Sequence, residues 1–418
     1  DYPAFHIEVG TDVASSELID KDLVRFGVYV LKVYPPTQSF EGRYDLKIFV
    51  SFNDVLRDAA TESQSVEYTK AFAAEPIGKG LNWLRIRQRS DGSWLENVGV
   101  TALVTLAFLN AGYDENDVTV SKAINYILSN VKADGSIYSS LQTYETSLAI
   151  LALVATNNNT YRTIIENAKN WLIRSQWDEN CIWGSVKKDN WYYGGFGYGA
   201  GRRPDLSNTQ FALLALDAAG LPKDDPLWKK VQVFLHRCQN VNFSITLNIE
   251  GSNYTVQPYN YYGGYDGGFI YHPRKSLAGD QKSYGSMTGA GIWGLLLSEV
   301  PKTDPRVIAA MNWVRKHYTW DGNPGMPTST NFQYYYYLTM SKALTMYGEK
   351  IINGHDWYKE MYDKIVSLQK PEGYWINSDS RGWENQPELV TAYSILSLQT
   401  MAPQVVNSPT YCLSLIHI

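Results

Sequence analysis

The sequence predicts an all-α protein built as an α/α toroid: six helix pairs in an inner and an outer ring, with a small N-terminal β-containing segment. Three observations predict it. A helical triplet of large and small apolar residues recurs at intervals along the chain, beginning at Gly80. Each copy is followed by a turn and a second run that is apolar nearly all round. The 418 residues are 44% hydrophobic and 19% charged, enough apolar material for a large core and too much for a disordered chain.

Residues 1–75 do not fit the repeat. Val24, Phe26, Val28 and Val30 alternate with Arg25, Gly27 and Tyr29, and Leu46, Ile48, Val50 and Phe52 alternate likewise. Both runs read as strands, separated by Pro35-Pro36. This segment reads as the remnant of a larger upstream domain, and residues 76–402 as the repeat domain. Residues 413–418 resemble a translated sequencing adapter and are set outside the fold. The chain begins at Asp1, so a leader segment would lie outside it and its compartment is not read.

The repeat starts with Gly80, Trp83 and Leu84, whose i, i+3, i+4 spacing marks one helix face. Ala123/Tyr126/Ile127, Ala168/Trp171/Leu172, Val231/Phe234/Leu235 and Ala310/Trp313/Val314 follow the same spacing, and Met361/Lys364/Ile365 is a degenerate sixth copy. Gln88, Gln176, Gln239 and Gln369 each sit five residues after the central position. Turns follow, often Asp-Gly or Glu-Gly. A second helix is expected to start at Thr101, Thr146, Thr209, Thr288, Tyr337 and Thr391, each Thr capping the helix. Runs such as 148–153 and 211–216 are apolar all round and should be buried. The first helix of each pair carries charge on one face (Lys169, Asn170, Arg174) and should face water. Six pairs with buried helices inside form a closed ring, because an open solenoid would expose its last buried helix. Long loops at 177–206, 240–285 and 318–336, rich in Gly, Tyr and Asn, are the expected seat of function.

Composition excludes several classes. Lys and Arg number 37 against 42 Asp and Glu, a net charge of −5, so nucleic acid is not an expected partner. No apolar run reaches membrane-spanning length, while peripheral membrane contact stays open. Three Cys make no disulfide framework. The 31 Tyr and 13 Trp suggest a lined cavity or a surface facing sugar or lipid.

Gln88-x-x-x-Gly92-x-Trp94 and Gln369-x-x-x-Gly373-x-Trp375 match the Q-x-x-x-G-x-W motif of triterpene cyclases. Residues 79–401 resemble the prenyltransferase/squalene-oxidase repeat superfamily, which includes squalene–hopene cyclases, protein prenyltransferase β subunits and complement-type thioester domains. Segments 194–216 and 267–297 most resemble bacterial squalene-cyclase-like proteins. The resemblance implies an α/α toroid and, by analogy, terpene cyclase (isomerase) chemistry. The Q–W motif residues are read as structural, the Gln amide bonding helix-end backbone and tying outer helices together.

A class II cyclase protonates an alkene or epoxide with a carboxylic acid held neutral in a dry cavity. The family's acid motif is D-x-D-D-T-A. The matching run here is Asp205-Leu206-Ser207-Asn208-Thr209-Gln210. Ser207 stands at the central, proton-donating position and Asn208 at the third, and a serine hydroxyl is far too weak an acid for alkene protonation. Asp205 is thus the one acidic candidate left in the motif. It is expected to cap the inner helix or pair with Arg202 or Arg203, and either would keep it ionised. The candidate ligand-contacting set is Ser207, Asn208, Trp191, Tyr192, Tyr193, Tyr262, Tyr265, His272, Tyr335 and Tyr336, rings expected to gather at one mouth of the toroid.

No metal or cofactor is expected. The D-x-C pair of a zinc-dependent prenyltransferase and the Cys-Gly-x-Gln of a thioester are both absent, and Gly194–Gly199 follows no βαβ unit. The first reading is therefore a squalene-cyclase-like repeat protein that binds an isoprenoid or other apolar ligand in a central cavity. The alternative is a non-catalytic binding or scaffold module using an aromatic loop face for a protein or glycan. Third comes a carbohydrate-active enzyme on an α/α toroid, with Glu145 and either Asp266 or Glu388 as facing carboxylates.

Overall fold

A computed structural model of the chain describes residues 4–11, 17–22, 44–51, 69–260 and 263–400. The chain divides into two compact units, one reaching to Glu75 and one starting at Pro76. In the first, β1 (Ala4–Thr11) pairs antiparallel with β2 (Glu17–Asp22) on one side and β3 (Tyr44–Ser51) on the other. The alternation of Leu46, Ile48 and Val50 falls in β3. The alternating run at Val24–Val30, and Phe52, lie outside the described residues. Phe5, Ile7 and Val9 alternate in the same manner within β1, a signal the sequence reading passed over.

The second unit is mostly helical. In chain order come α1 (Thr69–Arg87), α2 (Val98–Asn110), α3 (Val118–Ser129), α4 (Gln142–Ala155), α5 (Arg162–Ser175) and α6 (Leu206–Ala218). Then follow α7 (Pro226–Cys238), β4 (Ile245–Ile249), β5 (Ser252–Val256), α8 (Gly285–Leu297) and α9 (Pro305–Lys316). The last elements are α10 (Gln333–Tyr347), β6 (Ile351–Ile352), β7 (His355–Asp356), α11 (Trp357–Ser367) and α12 (Pro387–Leu398). Among the described residues no helix is long and apolar enough to cross a membrane.

Even-numbered helices pack in sequence, α2 on α4, α4 on α6, α6 on α8, α8 on α10 and α10 on α12, and α12 packs on α2. Odd-numbered helices lie against them, among them α3 on α2, α5 on α4 and α6, and α9 on α8. The burial contrast follows the sequence pattern. Phe211, Ala212, Leu213, Ala215 and Leu216 of α6 are buried, whereas Asn170 and Arg174 of α5 are exposed.

The repeated Gln, Gly and Thr are joined by one recurring geometry. Gln88 Nε2 donates to the Gly92 carbonyl at 3.0 Å and to that of Thr119, at the start of α3, at 2.9 Å. Gln176 bonds Gly194 and Leu227, Gln239 bonds Gly267 and Arg306, and Gln369 bonds Gly373 and Pro76. The motif is therefore present four times among the described residues. In two copies an insertion of residues separates Gln from Gly, and Phe196 or Phe269 replaces Trp. The repeated Thr is not a helix-start cap, which corrects the expectation. It lies three or four residues into its helix, and its hydroxyl accepts the N–H of the motif's large apolar residue, as Thr101 does from Trp94 and Thr391 from Trp375, both at 3.1 Å. Thr146, Thr209 and Thr288 repeat this with Ile137, Phe196 and Phe269. Trp94 and Trp375 are wholly buried, and their indole N–H groups reach the Leu84 and Ile365 carbonyls at 2.8 and 2.7 Å.

Two outcomes follow from this packing. Trp94→Ala and Trp375→Ala should each destabilise by about 3–5 kcal/mol, the range for large-to-small aromatic changes in cores, read as loss of thermal melting temperature. Gly194 has φ +86° and its missing Cβ would overlap the Lys230 carbonyl of α7, whereas Gly220 has φ +71° with open space around it. Gly220→Ala should cost only the left-handed backbone term of about 1–2 kcal/mol, and Gly194→Ala clearly more. Equal melting-temperature losses for the two glycines would show that the close approach at Gly194 is not a constraint.

Candidate functional site

The inner end of α6 carries the motif aligned with the cyclase acid. Asp205 is the N-cap residue, in extended conformation, and is 2% exposed. Its Oδ1 accepts the Asn208 N–H at 2.8 Å and its Oδ2 the Asn208 amide at 2.7 Å, with the Tyr271 hydroxyl as a further partner. This is the capping geometry expected of it. Its expected charge state is corrected. Arg202 and Arg203 are exposed, and the groups that bond Asp205 are Asn208 and Tyr271. Burial dominates and pushes its carboxyl up to about 7. Ser207 is half-buried, and its hydroxyl and the Gln210 amide oxygen both meet the Tyr335 hydroxyl, the latter at 3.0 Å.

Beyond this cap, aromatic rings cross the interior of the helix cycle. Tyr144 of α4 and Tyr393 of α12 touch through their hydroxyls at 3.0 Å, although α2 lies between these helices in the packing order. Phe211 of α6 and Tyr335 of α10, separated by α8, bring their ring centroids to 6.3 Å. Tyr144 packs edge-on against Phe211 at 5.2 Å, and Tyr335 against Tyr393 at 6.1 Å. These four rings close the interior at one level. Burial pushes Tyr144 up to about 12 and Tyr335 and Tyr393 well up, so all stay neutral.

One to two helical turns further on, burial is uneven: Trp293 and Leu396 are buried, the equivalent leucines of three other helices less so. Leu106, Leu151 and Leu214, each five residues past the repeated Thr, are only half-buried, while Ala107, Ile150, Ala152, Leu213 and Ala215 beside them are wholly buried. Leu296 of α8 is half-buried in the same way. A helix flanked by other helices exposes one stripe, and at this level of α2, α4, α6 and α8 it is apolar.

The other candidates do not converge on this region. Glu145 is wholly buried and accepts from the Ser139 and Ser140 hydroxyls at 2.7 Å, the Leu141 N–H at 3.0 Å and the Asn97 amide at 3.0 Å. It organises the turn before α4. Asp266 receives the Trp313 indole N–H at 3.1 Å and the Ser283 hydroxyl at 2.6 Å, and Glu388 faces Arg87 at 3.9 Å. All three carboxylates are engaged locally, and none is brought to face another across a cavity.

The loop rings scatter. Tyr193 is wholly buried, packed with Val233, Leu247 and Val256, its hydroxyl on Glu179. Tyr336 is buried within α10 and donates to the Thr319 carbonyl at 2.7 Å. Tyr335 joins the interior cluster. Trp191, 40% exposed, stacks under Arg274 at 4.4 Å and meets Tyr259 edge-on, beside an open cleft of about 550 Å³ that also touches Lys187, Asn190 and Tyr192. Tyr192 faces His272, whose pKa burial lowers. Tyr265 is exposed with φ +50°, and Tyr262 lies outside the described residues. Cys181 and Cys238 are buried thiols, and burial pushes both pKa values up.

Sequence reasoning missed Glu384. It is wholly buried, accepts the N–H groups of Tyr334 and Tyr335 at the start of α10 and the Asn377 amide, and burial pushes it up to about 7. A Trp-Glu pair in a loop carried no signal of this. The sign of its pH effect is definite. Asp205 and Glu384 both have folded pKa values of about 7, above the ordinary 3.8 and 4.5. Between about pH 4 and 7 these two carboxyls bind more protons in the folded chain than in the unfolded one, so their contribution to stability falls as pH rises and levels off above that window. His236, which burial holds down to about 3, and His272, also lowered, contribute with the opposite sign below about pH 6.5. The slope of melting temperature against pH from about 4.5 to 7 should therefore become more positive in Asp205→Asn/Glu384→Gln than in the unmodified chain, and an unchanged slope would show that these carboxyls do not contribute to it.

Comparison with known proteins bears on the same elements. The profile of the squalene-hopene cyclase C-terminal domain matches residues 97–282, fewer than half of the chain, from the cap of α2 through the loop before α8. No curated protein matches. The crystal structure of a protein from Actinoplanes aligns over 78% of this chain and 99% of its own, at 13% identity and a TM-score of 0.51, a likeness of fold alone. Residues 97–282 are thus similar to the squalene-hopene cyclase C-terminal domain, which supports the resemblance to the prenyltransferase/squalene-oxidase repeats.

Proposed function

We propose that the Pro76 unit is an α/α toroid that binds an apolar ligand, isoprenoid or similar, in its centre, and that it does not run proton-initiated cyclisation. The observation that carries the binding reading is the half-buried stripe of Leu106, Leu151, Leu214 and Leu296 on helices that are mostly buried. Apolar surface left open inside a packed cycle gains about 25 cal/mol per Å² when a ligand covers it.

The case against cyclisation rests on Asp205 and Ser207. Asp205 uses both oxygens as acceptors toward Asn208. Ser207 supplies no replacement. A second reading, glycan or protein binding at the loop face, is favoured by Trp191, which stays exposed although clamped by Arg274.

Two experiments test the first reading. Incubation of purified protein with squalene and with oxidosqualene, followed by gas chromatography–mass spectrometry, should give no cyclic triterpene. Product that disappears in Asp205→Asn would make Asp205 the acid and overturn the proposal. Farnesol, a neutral probe, should raise the melting temperature in proportion to the logarithm of its concentration. Leu214→Trp should abolish that shift by filling the recess. A shift that survives Leu214→Trp but is lost in Trp191→Ala would move the site to the loop face.

A further inference from the structure

The six-fold register shows one break in the apolar stripe. Five residues past the repeated Thr the chain places Leu106, Leu151, Leu214, Trp293 and Leu396. In the fifth repeat, where Tyr337 takes the place of Thr, the same position is Lys342. It lies on α10 seven residues after Tyr335, two helical turns along, and so on the same face. That face is the interior one, since Tyr335 reaches Gln210 and Phe211 on α6 and Tyr393 on α12. Lys342 is half-buried, and no hydrogen bond or ion pair of its ammonium group is found among the described residues.

The fully buried cations among the described residues are handled differently. Lys230 is held by Asp178 at 2.8 Å, Arg306 by Asp304 at 2.9 Å, and Arg237 by the Lys188 and Asn190 carbonyls. An interior cation without a partner is costly. Burial is the sole influence on Lys342 and lowers it to about 8. Near neutral pH it therefore stays mostly charged, with no carboxylate acting on it.

From this placement we infer that Lys342 receives the head group of an amphiphilic ligand: a long-chain monocarboxylate whose tail lies along Leu106, Leu151, Leu214 and Leu296. The single charge is the argument for a carboxylate over a diphosphate. One ammonium balances one negative charge, and a multiply charged head would leave uncompensated charge against leucine. Among the described residues no cluster of His, Cys, Asp and Glu suited to a divalent cation makes up the difference. The inference rests on the central-ligand reading proposed above and narrows it.

The test compares hexadecanoate, hexadecanol and hexadecyl phosphate, each below its critical micelle concentration, by isothermal titration and melting-temperature shift on the intact chain. Hexadecanoate should bind the unmodified protein at least about tenfold more tightly than hexadecanol. Lys342→Leu installs the residue that four other repeats carry at this position. It should remove that preference and leave hexadecanol binding equal or tighter. Lys342→Arg should restore the preference. Equal binding of the acid and the alcohol, or a preference that survives Lys342→Leu, overturns the assignment of Lys342 while the central-ligand reading stands. Tighter binding of hexadecyl phosphate overturns the monocarboxylate. No binding of any of the three overturns both.

Discussion

The helical unit depends on one side-chain amide used again and again. A Gln Nε2 has two N–H groups, and here each donates to a carbonyl of a different element: the motif glycine of its own repeat and a residue in the next odd-numbered helix. The glycine is needed because the next helix's backbone lies where a Cβ would be, with Lys122, Lys230, Ala309 and Lys79 carbonyls packed against Gly92, Gly194, Gly267 and Gly373. The Thr hydroxyl then fixes the large residue two places on, which plugs the space between layers. The bond from Gln369 to Pro76 joins the last repeat to the first. Each buried carbonyl would lose a partner if the amide were removed, at a cost of about 1–3 kcal/mol each, so the tie sets repeat spacing more firmly than apolar burial, which has no direction.

Given that frame, departures from the repeat stand out as features that the frame does not require. Insertions between Gln176 and Gly194 and between Gln239 and Gly267 leave both hydrogen bonds intact. They hang Trp191, Tyr192, β4 and β5 outside the helix layers. The fifth repeat lacks the Gln and carries Tyr337 in place of Thr, its hydroxyl reaching the Trp320 carbonyl at 2.8 Å instead. The same repeat holds Tyr335, Lys342 and the Glu384-capped start of α10. The interior's unusual chemistry is concentrated where the structural tie is weakest.

What could be read from sequence divides along the same line. Helix pairs, their burial and two motif copies follow from periodicity, which is local. The two interrupted copies were hidden by unequal spacing: Phe196 and Phe269 stand thirteen and nineteen residues before their Thr, against seven for Trp94 and Thr101. Asp205 as a cap was legible from its place at the helix start. Its protonation was not, because Arg203 is near in sequence and faces away, while Tyr271, sixty-six positions on, supplies the contact. Tyr193 and Tyr336 read as loop rings, yet both are buried by strands and helices distant in sequence. Lys342 in Ser-Lys-Ala reads as an ordinary surface lysine until the repeat register is laid over it.

Magnitudes decide what charge the interior carries. Glu384 sits at the N-terminus of α10 and Asp205 at that of α6, where the helix dipole favours the carboxylate by about 0.3–2 kcal/mol, at most about 1.5 pKa units. Burial opposes this by up to about 3–5 units. The net upward displacement of both carboxyls to about 7 means that burial wins despite the caps. For Lys342, inside α10, burial is the one influence and lowers the ammonium to about 8. The outcome is asymmetric. Near pH 7 the buried tyrosines are neutral and the two carboxyls are half-neutral and turned toward backbone and amide donors, while Lys342 remains charged on the apolar face. On the reading proposed above, Lys342 is then the charged group left for a ligand on that face, beside a level closed by the neutral rings of Tyr144, Phe211, Tyr335 and Tyr393.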